Sequence, residues 1–482
     1  MSADLSGLSP SLLWKYFDEI RKIPRCSKHE EKIGDYIISV AQKTGHEAKR
    51  DEAGNIVVEV PGTKGHEKAK TVVLQGHMDM VCEKNSDVKH DFTKDPIDVE
   101  ISGDWVTAKG TTLGADNGIG VAAALAFLED RDSVHGPLEL LFTVDEETGL
   151  NGAVYLKPDF IKGRVLLNLD SEEEGTITIG CAGGGDSEIT MPVVRKDSSK
   201  GSRYRIMLSG LRGGHSGIDI HKGRGNAIQL LARLLYKFDV DFDLIDFKGG
   251  SKHNAIPREA FATVFVKDED VQRLKDRLDF RLKEIEFEYK AVEEAIKLKI
   301  EPDDKTGGQP LDKDSRDRLL ALLYGLPHGV VAMSQEIEGL VETSNNVAIV
   351  ECKDDHARVY TSTRSSIQSA LEAVRIKIEA VATLAGAEIK HLEGYPSWTP
   401  NLDSDLLKVV KETHKKIFSK EPKIEAIHAG LECGIIGEKY PGMEMVSIGP
   451  ELQNPHSPDE RVNIGSVERF WEFLTGILKE LS

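Results

Sequence analysis

The sequence lacks several features that would place it in a specialised class of protein. None of its 482 residues lie in an apolar run of about 18 or more, so no transmembrane helix is expected. The net charge is -19 and no long Lys/Arg stripe occurs, which argues against nucleic acid or a membrane surface as partner. The N-terminal stretch also lacks the basic start and apolar core of a signal peptide.

Cysteine is scarce and scattered. The five cysteines are Cys26, Cys82, Cys181, Cys352 and Cys433. Their number is odd, they lie far apart, and no Cys-x-x-Cys pair occurs. This distribution predicts a reducing, cytoplasmic compartment and no disulfide framework.

Common catalytic motifs are absent as well. The sequence contains no P-loop, no His-Glu-x-x-His, no Gly-x-Ser-x-Gly nucleophile elbow and no Gly-x-Gly-x-x-Gly after a strand. The run Gly183-Gly184-Gly185 is better explained as a turn than as a phosphate cradle. These absences exclude the commonest nucleotide-binding and serine-hydrolase designs.

The chain is long enough for two or three domains, and its pattern indicates an α/β fold. Apolar strand-like runs alternate with helical patterns up to about residue 186 and again after 391, which is typical of a sheet with flanking helices. The region between reads differently, with a long charged helix near 269–298. We therefore predict a catalytic domain, 1–186 and 391–482, interrupted by an inserted domain, 187–390.

A helix start is predicted before Thr44. Ser27 and Glu30 have the spacing of a capping box, and Gly45 supplies the stop.

Polar, metal-capable residues follow three apolar strands. VVLQ leads into Gly-His77-Met-Asp79, LELLFTV into Asp145-Glu146-Glu147, and RVLLNL into Asp170. Asp116 and Asn117 form a fourth group at the entry to the helical run GIGVAAALAFL. Ligands of α/β sheets collect beyond the carboxyl ends of strands, so these groups are expected to meet.

Crowded carboxylates repel one another unless protons or cations intervene. One His with several carboxylates suits zinc, and mixed oxygen and nitrogen ligands also suit manganese or cobalt. His456, in the turn Pro-His-Ser-Pro, is the first candidate for a second His ligand. Taken singly, each pattern has a plainer explanation: a His-x-Asp surface pair, a solvated Glu172–Glu174 run, or a helix cap at Asp116. Their combination favours a metal site.

The ordered set of these residues resembles the di-zinc aminoacylase and carboxypeptidase superfamily of metallopeptidases. Longer blocks resemble one of its families, the bacterial aminoacyl-histidine (Xaa-His) dipeptidases: HDFTKDPI, GTTLGADNGIG, DSEEEG, LRGGHSG, NAIPREAFA, HAGLECG, SIGP and PHSPDE. The resemblance covers nearly the whole chain. It implies a zinc-peptidase-like mixed sheet with flanking helices, and an inserted α+β domain that acts as a lid and forms a homodimer.

The resemblance also implies residue roles. His77 and Asp170 would bind one zinc ion, Glu147 and His456 the other, and Asp116 would bridge both. The peptide bond between Asp116 and Asn117 would be cis. Asp79 would orient His77, and Glu146 would be the general base for a water activated by the two metal ions. Asp145 keeps the plainer role of a turn or supporting residue.

Further roles are implied for the inserted domain and the C-terminal part. His215 would stabilise the oxyanion, and Asn254 and Arg364 would hold the substrate carboxylate. Gly430 and Glu432 would line the pocket near the substrate's amino end. One departure concerns specificity: His253 precedes NAIPRE where an Arg is expected in many relatives.

The expected function is hydrolysis of unblocked dipeptides, including Xaa-His dipeptides such as carnosine. Two divalent metal ions are expected, with zinc first and cobalt or manganese as alternatives. Within the same superfamily, a deacylase of N-acyl amino acids or a tripeptidase remains an alternative. A non-catalytic metal- or peptide-binding protein is the alternative from another class.

Overall fold

The computed structural model describes residues 2–197, 201–304 and 308–482. It divides into two compact units. The first comprises 1–180, 398–426 and 431–482, and the second comprises 181–397 and 427–430. In the described part of the chain, no helix is both long and apolar enough to cross a membrane.

The first unit is built on an eight-stranded mixed sheet. Its strands, in order across the sheet, are Glu47–Arg50, Ile56–Val60, Leu138–Thr143, Val72–His77, Val165–Asn168, Glu444–Ser447, Thr176–Cys181 and Lys423–Ile427. The four strands from Leu138–Thr143 to Glu444–Ser447 run parallel to one another. Their side chains are almost entirely buried, as expected for strands covered on both faces.

Helices and a small second sheet complete this unit. The helices are Ser11–Ile20, Glu31–Thr44, Ala115–Ala126, Asn151–Tyr155, Asp405–Phe418, Glu432–Lys439 and Ile464–Glu480. The small sheet has the order Leu452–Gln453, Arg461–Asn463, Trp105–Ala108 and Val99–Ser102. The helix Ala115–Ala126 packs against the strand Val72–His77. Its Gly120 lies close to the residue that follows the strand Val165–Asn168, since a Cβ on Gly120 would lie 2.6 Å from the carbonyl oxygen of Leu169.

The second unit is built on a nine-stranded sheet whose paired strands are antiparallel. The order is Lys297–Pro302, Ser202–Ser209, Ala260–Val266, Asp243–Gly249, Val341–Cys352, His356–Ser365, Gly183–Pro192 and Glu388–His391, with Gly329–Met333 also pairing with Val341–Cys352. A short ladder joins Gly214–His215 to Ala255–Ile256. The helices are Ala227–Leu235, Val271–Tyr289, Lys313–Gly325 and Gln368–Leu384, with 3-10 turns at Ile220–Lys222 and Asp268–Asp270.

Three expectations from the sequence are wrong. Residues 183–185 were expected to form a turn, but they begin the strand Gly183–Pro192 and pair with the strand His356–Ser365. Cys26 and Cys82 form a disulfide, although the cysteines were expected to form none. Their 56-residue separation hides the pairing, which arises because Cys26 and Met80 pair as a parallel bridge. The capping box is also wrong: the helix begins at Glu31 without a side-chain cap, because Ser27 and Glu30 bond to distant residues instead.

Candidate active site

Strand register aligns the predicted ligand residues at one edge of the first unit. In the parallel ladders His77 lies opposite Thr143, and Gln75 lies opposite Asn168. The residues that follow these strands, Glu146, Glu147 and Asp170, therefore leave the sheet at its carboxyl edge, where ligands of α/β sheets bind.

His77 is the centre of the first ligand group. Its Nε2 lies 3.0 Å from Oδ1 of Asp116 and 3.3 Å from Oδ1 of Asp170. The imidazole is 1% exposed. Burial opposes its protonation, but the carboxylates of Asp170, Asp116 and Asp79 outweigh burial and raise the pKa of His77 well above its usual value. One nitrogen and two carboxylate oxygens converge here at a spacing that suits a cation.

His456 is the centre of the second group. Its Nε2 lies 3.0 Å from Oε2 of Glu147 and 3.1 Å from Oδ2 of Asp116. Hydrogen bonds to Asp116 and Glu147 raise the pKa of His456 to about 11. The described residues offer no hydrogen-bond partner to Oε1 of Glu147, which is buried. A buried carboxylate oxygen without a donor fits a cation, because such an oxygen is costly unless something binds it.

Asp116 belongs to both groups. Its Oδ1 faces His77 and its Oδ2 faces His456, so one carboxylate joins the two sets of ligands. The Asp116–Asn117 peptide is cis, as the resemblance implies. The Asn117 side chain donates to the carbonyl oxygen of Leu169, which ties this turn to the strand that precedes Asp170.

Asp79 is buried behind these ligands and holds three segments together. Its two carboxylate oxygens accept the backbone amides of Glu146 and Glu147 at 3.0 and 3.2 Å. One oxygen also lies 3.3 Å from Nδ1 of His77, and the other accepts the Ser27 hydroxyl at 2.8 Å. This carboxylate therefore sets both the His77 ring and the start of the Glu146 turn.

Two further acids lie beside the ligands, Glu146, which is half-buried, and Glu432, which is buried. Burial raises the pKa of Glu146 well above its usual value, and neighbouring Asp170 and Glu432 add to the effect. Glu432 accepts hydrogen bonds from Gln75 and Thr143 through Oε2. Burial raises the pKa of Glu432 to about 7. Its Oε1 is buried and meets no donor within the described ranges.

The predicted residues of the second unit form a group of their own. The ladder between Gly214–His215 and Ala255–Ile256 brings His215 next to the Asn254 segment, where the Ser216 amide donates to the Asn254 carbonyl at 2.8 Å. Burial lowers the pKa of His215, and the positive charge of Arg364 lowers it further. Arg364 is buried and donates to the Tyr395 hydroxyl at 2.6 Å.

Gly430 and His253 have different surroundings in the same unit. A Cβ on Gly430 would lie 2.8 Å from the Tyr395 ring, so glycine leaves space beside that ring. His253, the departure noted in the sequence, lies 3.0 Å from a carboxylate oxygen of Asp186. This hydrogen bond raises the pKa of His253 above its usual value.

Sequence reasoning missed several residues around these groups. Ser27 was assigned to a helix cap, and Arg25 and Glu460 received no role, yet all three contact the segments that carry the ligands. His428, whose Nε2 lies 2.7 Å from the Ser344 hydroxyl, was also overlooked. The sequence could have indicated two of these residues only through the motifs that contain them, because Glu460 lies in PHSPDE and His428 in HAGLECG.

An α/β sheet that carries two His-carboxylate groups joined by one Asp at its carboxyl edge defines a class: hydrolases with a metal site on a peptidase-type fold. The sequence profile of peptidase family M20/M25/M40 matches residues 73–480. The chain belongs to this family, so it is an enzyme of the metallopeptidase class, and the expected α/β fold class and family resemblance are confirmed.

Two relatives are similar over nearly their whole length. The cytosol non-specific dipeptidase of Escherichia coli (strain K12) is 45% identical over 484 residues, which is 99% of each chain. The crystal structure of aminoacylhistidine dipeptidase from Vibrio alginolyticus is 44% identical, with a TM-score of 0.92 over 99% of this chain and 98% of that one. Aminopeptidase PepT from Bacillus cereus is 17% identical, with a TM-score of 0.57 over 98% and 99%, and shares the fold.

Proposed function

We propose that the chain is a cytoplasmic dipeptidase that hydrolyses unblocked dipeptides, including Xaa-His dipeptides such as carnosine. The observation that carries this proposal is the carboxylate of Asp116, which turns one oxygen to His77 and the other to His456. Support for the substrate class comes from the two relatives at 44% and 45% identity, both of which are named dipeptidases.

Two divalent metal ions are part of the proposal. His77 and Asp170 would hold one ion, Glu147 and His456 the other, and Asp116 both, with zinc as the preferred metal and cobalt or manganese as substitutes. When bound, a pair of such ions polarises a carbonyl group and acidifies water. Asp79 keeps the His77 ring in place for this task through its 3.3 Å contact with Nδ1.

Glu146 is proposed as the general base. One of its carboxylate oxygens lies within 4.8 Å of a ring nitrogen of His77 and of a carboxylate oxygen of Glu147. There it would take a proton from the attacking water and pass it to the leaving amine, a role that contributes about 100- to 10,000-fold to the rate of comparable enzymes. Glu147 is the next residue in sequence, but its carboxylate contacts His456. The two glutamates would therefore have different roles, Glu146 in proton transfer and Glu147 in metal binding.

His215 is proposed to stabilise the oxyanion. Its Nδ1 accepts the backbone amides of Gly217 and Ile218, each at 3.2 Å. A nitrogen that accepts hydrogen bonds carries no proton, so the proton of the neutral ring is on Nε2, which can then donate to a developing negative charge.

The remaining roles concern substrate binding. Arg364, which offers a planar fork of donors, and Asn254 would bind the substrate carboxylate. Gly430 and Glu432 would face the substrate's amino end, where Oε1 of Glu432 is available as an acceptor of the ammonium group. Recognition of both ends would restrict the enzyme to short, unblocked peptides.

We also propose that the second unit, predicted from the sequence as 187–390, is a lid domain through which the chain forms a homodimer. Sedimentation velocity of the full chain tests the dimer, and a monomer at micromolar concentration would contradict it. The cytoplasmic location draws on the word cytosol in the name of the Escherichia coli relative.

The deciding experiment is a substrate panel with metal-stripped and metal-restored protein. β-Ala-His should be cleaved only after metal is restored, and more efficiently than Gly-Gly-Gly or N-acetyl-Met. Cleavage of N-acetyl-Met alone would assign a deacylase, and preference for Gly-Gly-Gly a tripeptidase.

A matched variant tests the role of Glu146. Glu146→Gln should retain two metal ions per chain and lose at least about 100-fold in kcat, because proton transfer fails while metal binding persists. A Glu146→Gln enzyme with wild-type kcat would contradict the assignment. A metal-restored wild-type chain that cleaves none of the peptides would favour a non-catalytic binding protein.

A further inference from the structure

A buried Glu460 binds the turn that carries Asp116. Its Oε2 accepts the amides of Leu113 and Gly114 at 2.8 and 2.9 Å. Its Oε1 accepts the amides of Ala115 and Asp116 at 2.7 and 3.2 Å. Four consecutive amides at the start of the helix Ala115–Ala126 thus converge on one carboxylate, an arrangement that elsewhere binds free anions.

The same carboxylate connects the two ligand groups. Glu460 lies four residues after His456, in a turn closed by the hydrogen bond from the Glu460 amide to the Ser457 carbonyl at 3.0 Å. The amide of Asp116 itself is one of its donors. Glu460 therefore connects the turn that carries Asp116 to the turn that carries His456.

A buried arginine holds the opposite side of the same turn. Arg25 is 2% exposed and donates to the carbonyl oxygens of Met78 and Asp79 at 2.9 and 2.8 Å, and also to that of Gly114. Gly114 thus lies between the two charged residues. Its amide donates to Glu460, and its carbonyl oxygen accepts a hydrogen bond from Arg25.

Only glycine fits at this point. Gly114 has a φ of +70°, and a Cβ would lie 2.6 Å from a guanidinium nitrogen of Arg25. Arg25, Gly114 and Glu460 therefore form one hydrogen-bonded cluster. Neither Arg25 nor Glu460 belongs to the two ligand groups.

We propose that Arg25 and Glu460 are a pair of positioning residues that fix Asp116 between His77 and His456. Arg25 joins the segment after His77 to the Asp116 turn, and Glu460 joins that turn to the His456 turn. The pair sets the separation of the two ligand groups without contacting substrate, an inference that rests on the proposed two-metal function.

Glu460→Gln tests the proposal, because the amide keeps the shape but presents a donor to amides that also donate. We expect one of the two metal ions to bind about 10- to 100-fold more weakly, as for other residues that support metal ligands. In cobalt-substituted protein the visible absorption bands should shift, and kcat should fall while KM for β-Ala-His stays within about twofold.

Glu139→Gln is the matched control. Glu139 is likewise buried and accepts backbone amides, those of Lys162 and Gly163, but it stands near the start of its strand, away from the carboxyl edge. This variant should lose stability and keep wild-type metal affinity and cobalt spectrum. Equal metal loss in both variants would overturn the proposal in favour of general destabilisation.

Arg25→Lys is the second test and keeps the positive charge. A lysine cannot span the three carbonyl oxygens, so the same loss of affinity for one ion is expected. If folded Glu460→Gln or Arg25→Lys has wild-type metal affinity and a wild-type cobalt spectrum, this inference is wrong but the proposed function is unaffected. A wild type that binds fewer than two ions would overturn the proposed function, and this inference with it.

Discussion

Asp79 accepts the backbone amide of Glu146 at 3.0 Å, although the two residues belong to different strand ends. The Asp79 carboxylate thus helps to fix where the turn that carries Glu146, the proposed general base, begins. The family resemblance implied that Asp79 orients His77, and the contact between the Asp79 carboxylate and Nδ1 of His77 is 3.3 Å. The additional link to Glu146 makes Asp79 a support for two functions at once.

Asp79→Asn should weaken metal binding and catalysis together. The asparagine would turn an NH2 group toward either the Glu146 amide or the Ser27 hydroxyl and the Glu147 amide. We expect about 10- to 100-fold weaker metal affinity, measured by competition with a chelator. Ser27→Ala removes one hydrogen bond, worth about 1 kcal/mol, and leaves the carboxylate in place, so its metal affinity should change much less. Equal losses in the two variants would contradict the assigned role of Asp79.

Asp145 and Glu147 should respond differently to substitution. Asp145 adopts a positive φ of 50° and accepts hydrogen bonds from Thr148 and Asn151, both at 2.6 Å, so it shapes the turn. Asp145→Ala should cost about 1–3 kcal/mol of stability and leave two metal ions bound. Glu147→Ala should empty one metal position, because Glu147 directly faces His456. Metal content by mass spectrometry, with thermal unfolding of both variants, checks the difference; two ions in Glu147→Ala would contradict it.

Reduction of the Cys26–Cys82 disulfide should lower stability. The bond closes a loop over a separation of 56 residues, for which loop-closure entropy gives about 4 kcal/mol at most. Denaturation with and without dithiothreitol measures the effect. The double variant Cys26→Ser and Cys82→Ser is the control and should not respond to the reductant. Alkylation of all five cysteines in unreduced, unfolded protein would show that the bond does not form.

The sequence predicted those parts of the site that depend on strand ends. His77, Glu146, Glu147 and Asp170 could be placed together because parallel strands deliver their next residues to one edge. Asp116 and His456 were candidates from their sequence patterns, but which ligands they would join needed the family resemblance, since a helix entry and a loop turn have no fixed position relative to a sheet.

The supporting residues could not be predicted, because their partners are distant in sequence. Ser27 and Glu30 fitted a local capping box, but tertiary contacts prevailed: Ser27 binds Asp79, and Glu30 accepts the Asp145 amide. Glu460 and Leu113 are 347 residues apart. Nothing in periodicity or composition indicates which buried acid will meet which backbone amides.

His328 should make the stability of the second unit depend on pH. Burial lowers the pKa of His328 to about 4, whereas an unfolded histidine keeps a pKa near 6.5. Its Nδ1 faces the side-chain amide of Asn226 and the backbone amide of Val347, both donors, so the folded form disfavours protonation there.

Below pH 6.5 the unfolded chain takes up a proton that folded His328 does not, so stability is complete above that pH and falls as the pH drops toward 4. The contribution of this one group is at most about 1.4 kcal/mol per pH unit. Urea unfolding of the wild type and of His328→Gln, which keeps an acceptor, at pH 7.5 and 5 measures it. The variant should lose less stability than the wild type between the two values, and identical losses would show that His328 is not the group responsible.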